Sequence, residues 1–268
     1  MRVMATLRRA IALAVVVHLS VASDASADEI RVMTSGGFTA AYLQLVPAFE
    51  RATRHKVVTT FGGSMGNGPE TIPNRLRRQE PADIVILASS VLDELIAQGK
   101  VVAGTRVDLV RSTIGMAVRA GAPKPDISSV AALTETLLRA KSVAYSASAS
   151  GIYLSTELFQ RLGIADRVLP KSRNAAGERV AALVARGEAE IGFQQISELL
   201  PEPGIDYVGP LPPEVQRVTV FSAGIVVGAQ RPDAAKALVR FLASPDAGPV
   251  IVKAGLEPVA EPEPAGVR

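Results

Sequence analysis

Short apolar runs of strand length alternate along the chain with longer stretches in which apolar residues recur every three or four positions. Strands are predicted over residues 30–33, 57–61, 84–88, 114–119, 143–146, 191–194, 207–209 and 218–227. Helices are predicted over 40–53, 73–78, 91–98, 129–139, 153–162, 179–186 and 233–242. Strand and helix in alternation describe an α/β protein with largely parallel sheets, whose ligands lie at the carboxyl ends of the strands. Two long β-rich segments, near 112–120 and 217–228, stand about 100 residues apart. If both cross between two lobes, the middle of the chain becomes an inserted second lobe. Residues 28–112 and 217–268 then form lobe 1 and 113–216 form lobe 2, with a central cleft able to close around a solute by hinge motion.

Three of these strands run through a Ser/Gly turn into a helix: IRVMTSGGF (30–38), VVTTFGGSMG (57–66) and VAYSASASGIY (143–153). Such turns leave unpaired N–H groups and short hydroxyls at the positive end of a helix, which is a seat for a small anion. The candidates are Ser35, Gly36 and Gly37 in the first turn, Ser64 and Met65 in the second, and Ser148, Ser150 and Gly151 in the third. Gly37, Gly62 and Gly63 are expected to open space and let the backbone approach the ligand.

The amino-terminal leader sets the compartment. Arg2, Arg8 and Arg9 precede the apolar run 10–19, and Ala25-Ser26-Ala27 supplies small residues for a signal peptidase. The run falls short of the roughly 20 apolar residues a membrane span needs. A cleaved signal peptide over 1–27 and a periplasmic product of about 241 residues follow. The chain has no Cys, so neither disulfides nor a lipid-anchored Cys arise. The leader carries two of the three formal positive charges, leaving +1, and Trp is absent. Nucleic acid is therefore not an expected partner.

Gly62-Gly63-Ser64-Met65-Gly66 also fits the nucleophile elbow of hydrolases, but that constellation needs a His after the serine. The one His beyond the leader, His55, precedes it in the charged stretch RATRHK, where a solvated role is expected. No metal is expected, because one His and no Asp/Glu cluster at calcium-loop spacing offer no ligand set. Tyr153 either places its hydroxyl on a ligand or packs on the core of its lobe. Glu70, after Pro69, either complements a helix dipole or moves protons, and Arg75 either faces the cleft or is a solvated helix charge.

The order of strand-SGGF-helix, FGGSMG, EPADIVILASS, SASASGIY and ARGEAEIGFQQ along nearly the whole mature chain resembles the type 2 periplasmic solute-binding proteins, in particular their molybdate-binding branch. The resemblance implies the two-lobed fold with two crossover segments, a small anionic ligand, a monomer and, for a transport role, an ABC permease as partner. It carries the branch's first-turn serine onto Gly37, its second onto Ser64, its backbone amides onto Ser150 and Gly177, and its tyrosine onto Gln195. Two of three side-chain donors differ, which turns the expected ligand toward planar di- or tricarboxylates, with Gln194, Gln195 and Arg173 as added donors. An SGGF first turn with a GGSMG-like second turn also resembles periplasmic aconitate isomerases. That resemblance implies interconversion of trans- and cis-aconitate by allylic proton transfer without a cofactor, with Glu70, Tyr153 and Ser64 as candidate proton-transferring groups. The alternative is a binding-only component of an ABC importer for a carboxylate or a molybdate-like oxyanion.

Overall fold

The computed structural model describes residues 27–259. The leader read over 1–27 lies, except for Ala27, outside the described residues, as does the Pro-rich tail from 260 onward. The strands are β1 (Glu29–Thr34), β2 (Lys56–Phe61), β3 (Ile84–Ala88), β4 (Val107–Ser112), β5 (Ile114–Arg119), β6 (Val143–Ser146), β7 (Ser172–Ala175), β8 (Ile191–Gln195), β9 (Ile205–Pro210), β10 (Thr219–Ile225) and β11 (Glu257–Pro258). The helices are α1 (Gly36–Thr53), α2 (Ile72–Arg77), α3 (Ser89–Ala97), α4 (Val130–Arg139), α5 (Ala149–Tyr153), α6 (Phe159–Arg161), α7 (Ala165–Val168), α8 (Val180–Ala185), α9 (Ile196–Leu199), α10 (Pro232–Leu242) and α11 (Gly248–Lys253). A π-helical turn, Leu154–Leu158, joins α5 to α6.

Two mixed sheets result. One runs β11-β4-β10-β3-β1-β2 and the other β7-β6-β8-β5-β9. In the first, β1 pairs parallel with β2 and β3, and β10 runs antiparallel between β3 and β4. In the second, β6 pairs parallel with β7 and β8, while β5 is antiparallel to β8 and β9. The two-sheet α/β architecture is as expected, but the expectation of largely parallel sheets is corrected: β4, β10 and β11 in the first sheet and β5 and β9 in the second enter through antiparallel pairings, because both sheets take in strands that return from the other half of the chain.

The central strand β3, IVILA, is apolar at every position because helices cover both faces of its sheet. Ile84 and Ile86 pack with Phe38, Tyr42 and Phe49 of α1 and Leu238 of α10, whereas Val85 and Leu87 pack with Leu92 and Leu95 of α3. Phe38, Tyr42 and Phe49 are almost wholly buried, each stabilising the fold by about 1.5–3 kcal/mol. The second sheet is covered by α4 to α7 on one face and α8 on the other.

The two passages between the sheets differ from the long β segments read in the sequence. β4 ends at Ser112 and β5 begins at Ile114, so a single residue, Thr113, separates strands of different sheets. The return passage is a loop between Pro210 and Thr219 that contains the 3-10 turn Pro213–Val215. Three strands carried no sequence expectation. β4 (VDLVRS) mixes charge into an apolar run, β7 (SRNA) is a mostly polar edge strand, and β11 has two residues. α1 begins at Gly36, four residues before its apolar period, because two glycines of poor helix propensity open it.

Candidate functional site

The first turn is built at the carboxyl end of β1. The Ser35 N–H donates to Ile86 O at 2.9 Å and the Gly62 N–H to Thr34 O at 3.1 Å, which ties the first two turns to the sheet. Ser35 is the N-cap of α1, yet its Oγ makes no capping bond; it is buried and without a partner. The amides of Gly36 and Gly37 open the 18-residue helix at the positive end of its dipole, where first-turn N–H groups lack intrahelical acceptors. In the second turn Ser64 is 1% exposed, and its Oγ accepts the Ala88 N–H at 3.0 Å. That bond uses the oxygen as acceptor and leaves the hydroxyl proton to donate elsewhere.

The third turn is organised by Ser146. Its Oγ accepts N–H bonds from Ser148 at 3.4 Å and Gly151 at 3.2 Å and shares a 2.9 Å bond with Ser150 Oγ. Any side chain at Gly151 would overlap the Ser146 backbone, so only glycine lets the helix start so close to the strand. The turns of the two sheets meet face to face. A Cβ added at Gly66, whose φ is +103°, would lie 2.8 Å from Ala147 O, and one at Gly63 would lie 3.9 Å from Ser148 Oγ.

A second contact across the cleft lies beside the head of α1. Ser197 Oγ donates to Gly37 O at 2.7 Å, and the Glu198 carboxyl fills the place a Cβ on Gly36 would take. Gln194 Nε2 donates to Glu198 Oε2 at 2.7 Å, while Gln194 Oε1 is buried with no partner. Glu198 retains some accessible surface, but its carboxyl is packed among protein atoms. That loss of hydration pushes it up to about 7, against the smaller opposing effects of the Gln194 bond and the Arg179 charge. Arg179 forms an ion pair with Glu202.

The structure thus gathers Ser35, Gly36, Gly37, Ser64, Ser148 and Ser150 along the facing carboxyl ends of the strands, and it separates other residues from them. Arg173 sits on the edge strand β7, half exposed and paired with Glu178 and Glu188, so it is corrected from a cleft donor to a surface ion-pair residue. Tyr153 takes the core alternative: its hydroxyl donates to Val215 O at 2.7 Å, it is 3% exposed, and the Arg217 guanidinium lies 4.4 Å above the ring. Gln195 ties the crossovers together, accepting from Ser112 Oγ at 2.7 Å and donating to Thr219 Oγ1 at 3.2 Å. Glu70 turns its carboxyl back over Gly68, and Arg75 donates to Glu70 O and pairs with Glu80. Met65 packs against the apolar cluster of α2 and α3. His55 is partly buried rather than solvated, stacked on Phe49 and accepting the Asp28 N–H through Nδ1.

The expected role of Gly37 and Gly62 is also corrected. The Phe221 ring occupies the side-chain position of Gly37, the Glu70 carbonyl that of Gly62 and the Glu198 carboxyl that of Gly36. These glycines admit neighbouring protein atoms rather than free volume. A depression of about 900 Å³ does exist, lined by Arg31, Asp83, Lys100 and Arg231, but it lies at the amino ends of β1 and β3. Asp83 there is committed to the fold, accepting the N–H groups of Arg31, Gln230 and Arg231.

Glu198, Ser197 and Arg179 carried no sequence expectation. The available signal was ISELL: a carboxylate in a short apolar segment directly after a strand whose carboxyl end borders the cleft.

The family model for bacterial extracellular solute-binding proteins matches residues 30–257. A protein named aconitate isomerase, from Pseudomonas sp, is 50% identical over 230 residues, which are 86% of this chain and 88% of that one. The molybdate-binding protein ModA of Azotobacter vinelandii is 27% identical over 238 residues, covering 85% of this chain and 89% of its own. The solved structure of the Azotobacter vinelandii periplasmic molybdate-binding protein superposes with a TM-score of 0.67 at 20% identity, covering 87% of this chain and all of that one.

Proposed function

The chain belongs to the bacterial extracellular solute-binding protein family, and we propose that it is a periplasmic, monomeric isomerase interconverting trans- and cis-aconitate by allylic proton transfer. The observation that carries this reading is the 50% identity to a protein named aconitate isomerase over 86% of the chain. Aconitate presents three carboxylates on a nearly planar skeleton. Removal of a proton α to one of them spreads negative charge over the allyl system and its carboxylates. The groups at the cleft suit that charge: the Gly36 and Gly37 amides, the Ser35 and Ser64 hydroxyls, and the Ser148–Ser150 turn facing them. These donors are held by the sheets before substrate arrives, so they cost little reorganisation as charge develops. Arg179 acts on this region through its charge on Glu198, its guanidinium being exposed and paired with Glu202.

The test is incubation of the mature protein with trans-aconitate in heavy water. The proposal expects cis-aconitate and deuterium at an α or γ carbon without added metal or nucleotide. A second reading, binding of a small anion for delivery to an ABC permease, is favoured by the family itself and by the molybdate-binding relative. It expects tight binding of a carboxylate or oxyanion with neither isomer conversion nor deuterium uptake.

A further inference from the structure

Resting on the isomerase reading, we infer that Glu198 is the acid–base group of the reaction, taking a proton from the substrate methylene and returning one to the far end of the allyl system. Three placements converge on it. Its carboxyl lies against Gly36 at the head of α1, where the first anion seat is built. Two polar atoms in the same region have no protein partner, Ser35 Oγ on a residue 2% exposed and Gln194 Oε1 on one 5% exposed. Gln194 Nε2 holds Glu198 Oε2 at 2.7 Å. That donor favours the ionised carboxylate over the carboxylic acid. Buried polar atoms left unpaired are costly, and two beside one desolvated carboxyl mark where a polar ligand completes the bonding.

The proton inventory closes without a co-reactant. The methylene C–H pair becomes the new carbon–carbon double bond, the old double-bond pair moves to the opposite α carbon, and that carbon takes a proton from Glu198. Nothing is oxidised or reduced. A carboxyl lifted by burial is the stronger base when ionised, and one near the working pH serves in both directions. The charged group acting on it is Arg179 before α8, whose own ion-pair partner is Glu202 beyond α9. Neither serine hydroxyl at the turns accepts a carbon-bound proton without a base, and the Tyr153 proton is committed to Val215 O.

The experiment pairs turnover with binding in wild type, Glu198→Gln, Glu198→Asp and Gln194→Ala. Expected for Glu198→Gln is a loss of turnover and deuterium uptake of about 100-fold or more, with trans-aconitate affinity by calorimetry within a few-fold of wild type. Glu198→Asp restores part of the rate. Gln194→Ala moves the acidic limb of the kcat/KM profile to higher pH, because the bond it removes stabilises the carboxylate. Wild-type turnover with an active Glu198→Gln variant, or an acidic limb unmoved in Gln194→Ala, overturns the inference and leaves the isomerase reading standing. Parallel loss of binding and turnover in Glu198→Gln also overturns it, making Glu198 a binding group. Wild-type protein that binds aconitate without converting it sinks the isomerase reading itself.

Discussion

Replacing Glu198 by Gln should stabilise the protein at alkaline pH and change it little in acid. Burial lifts this carboxyl from 4.5 to about 7 in the folded protein. Below the unfolded value it is neutral in both states, and its contribution to stability is fully present. As pH rises through the folded value, the folded state must hold an ionised, poorly hydrated carboxylate, so stability falls. The displacement from 4.5 to about 7 corresponds to an upper limit of about 3 kcal/mol. Gln is nearly isosteric, stays neutral and keeps an acceptor for Gln194 Nε2, so it escapes this cost. Urea unfolding of both proteins at pH 4, 6, 7 and 8.5 reads the difference directly. The variant should match wild type at pH 4 and exceed it by about 2–3 kcal/mol at pH 8.5. A difference that does not vary with pH, or a variant that becomes the weaker protein as pH rises, would refute the reasoning, since the second result means that the Arg179 charge outweighs desolvation.

Ser64→Ala should weaken aconitate binding by about 1.5–3 kcal/mol in calorimetry and lower stability by about 1–3 kcal/mol, because the buried Ala88 N–H loses its acceptor. Gly37→Ala should destabilise the fold by about 1–3 kcal/mol in urea unfolding, because the new methyl overlaps the Phe221 ring. Arg173→Ala should leave ligand affinity unchanged within error, since its guanidinium is spent on exposed pairs with Glu178 and Glu188. A clear loss of affinity there would place the cleft elsewhere.

The strands that lie between two helical layers were legible because double-sided burial demands uninterrupted apolar residues, as in β3. The polar edge strand β7 was not, because its place comes from pairing with β6 and its side chains face solvent and ion pairs. The first crossover was legible as β-rich sequence, but the change of sheet at Thr113 leaves no mark, since strand character continues on both sides. The three Ser/Gly turns at the carboxyl ends of strands could be read from local chemistry. What their glycines accommodate could not: the atoms that fill Gly37 and Gly36 come from Phe221 and Glu198, far along the chain and across the cleft. Gln194 and Gln195 were read as equivalent donors, yet successive strand residues point to opposite faces. One meets Glu198 and the other binds the two crossovers together.

That pair of glutamines separates two tasks. Gln195 spans Ser112 and Thr219, the ends of both passages between the sheets, and so ties the two passages to each other. Gln194 acts on a single carboxyl, that of Glu198, which lies against the head of α1. Hydroxyls and amides suffice to retain an anion, because their proton positions do not change during binding. An isomerase needs in addition one group whose proton affinity lies near the working pH and whose surroundings exclude water. The packing around Glu198 supplies that surrounding, and burial raises the basicity of its carboxylate. On the isomerase reading, enzyme and carrier differ in whether such an ionisable side chain stands between the two sheets.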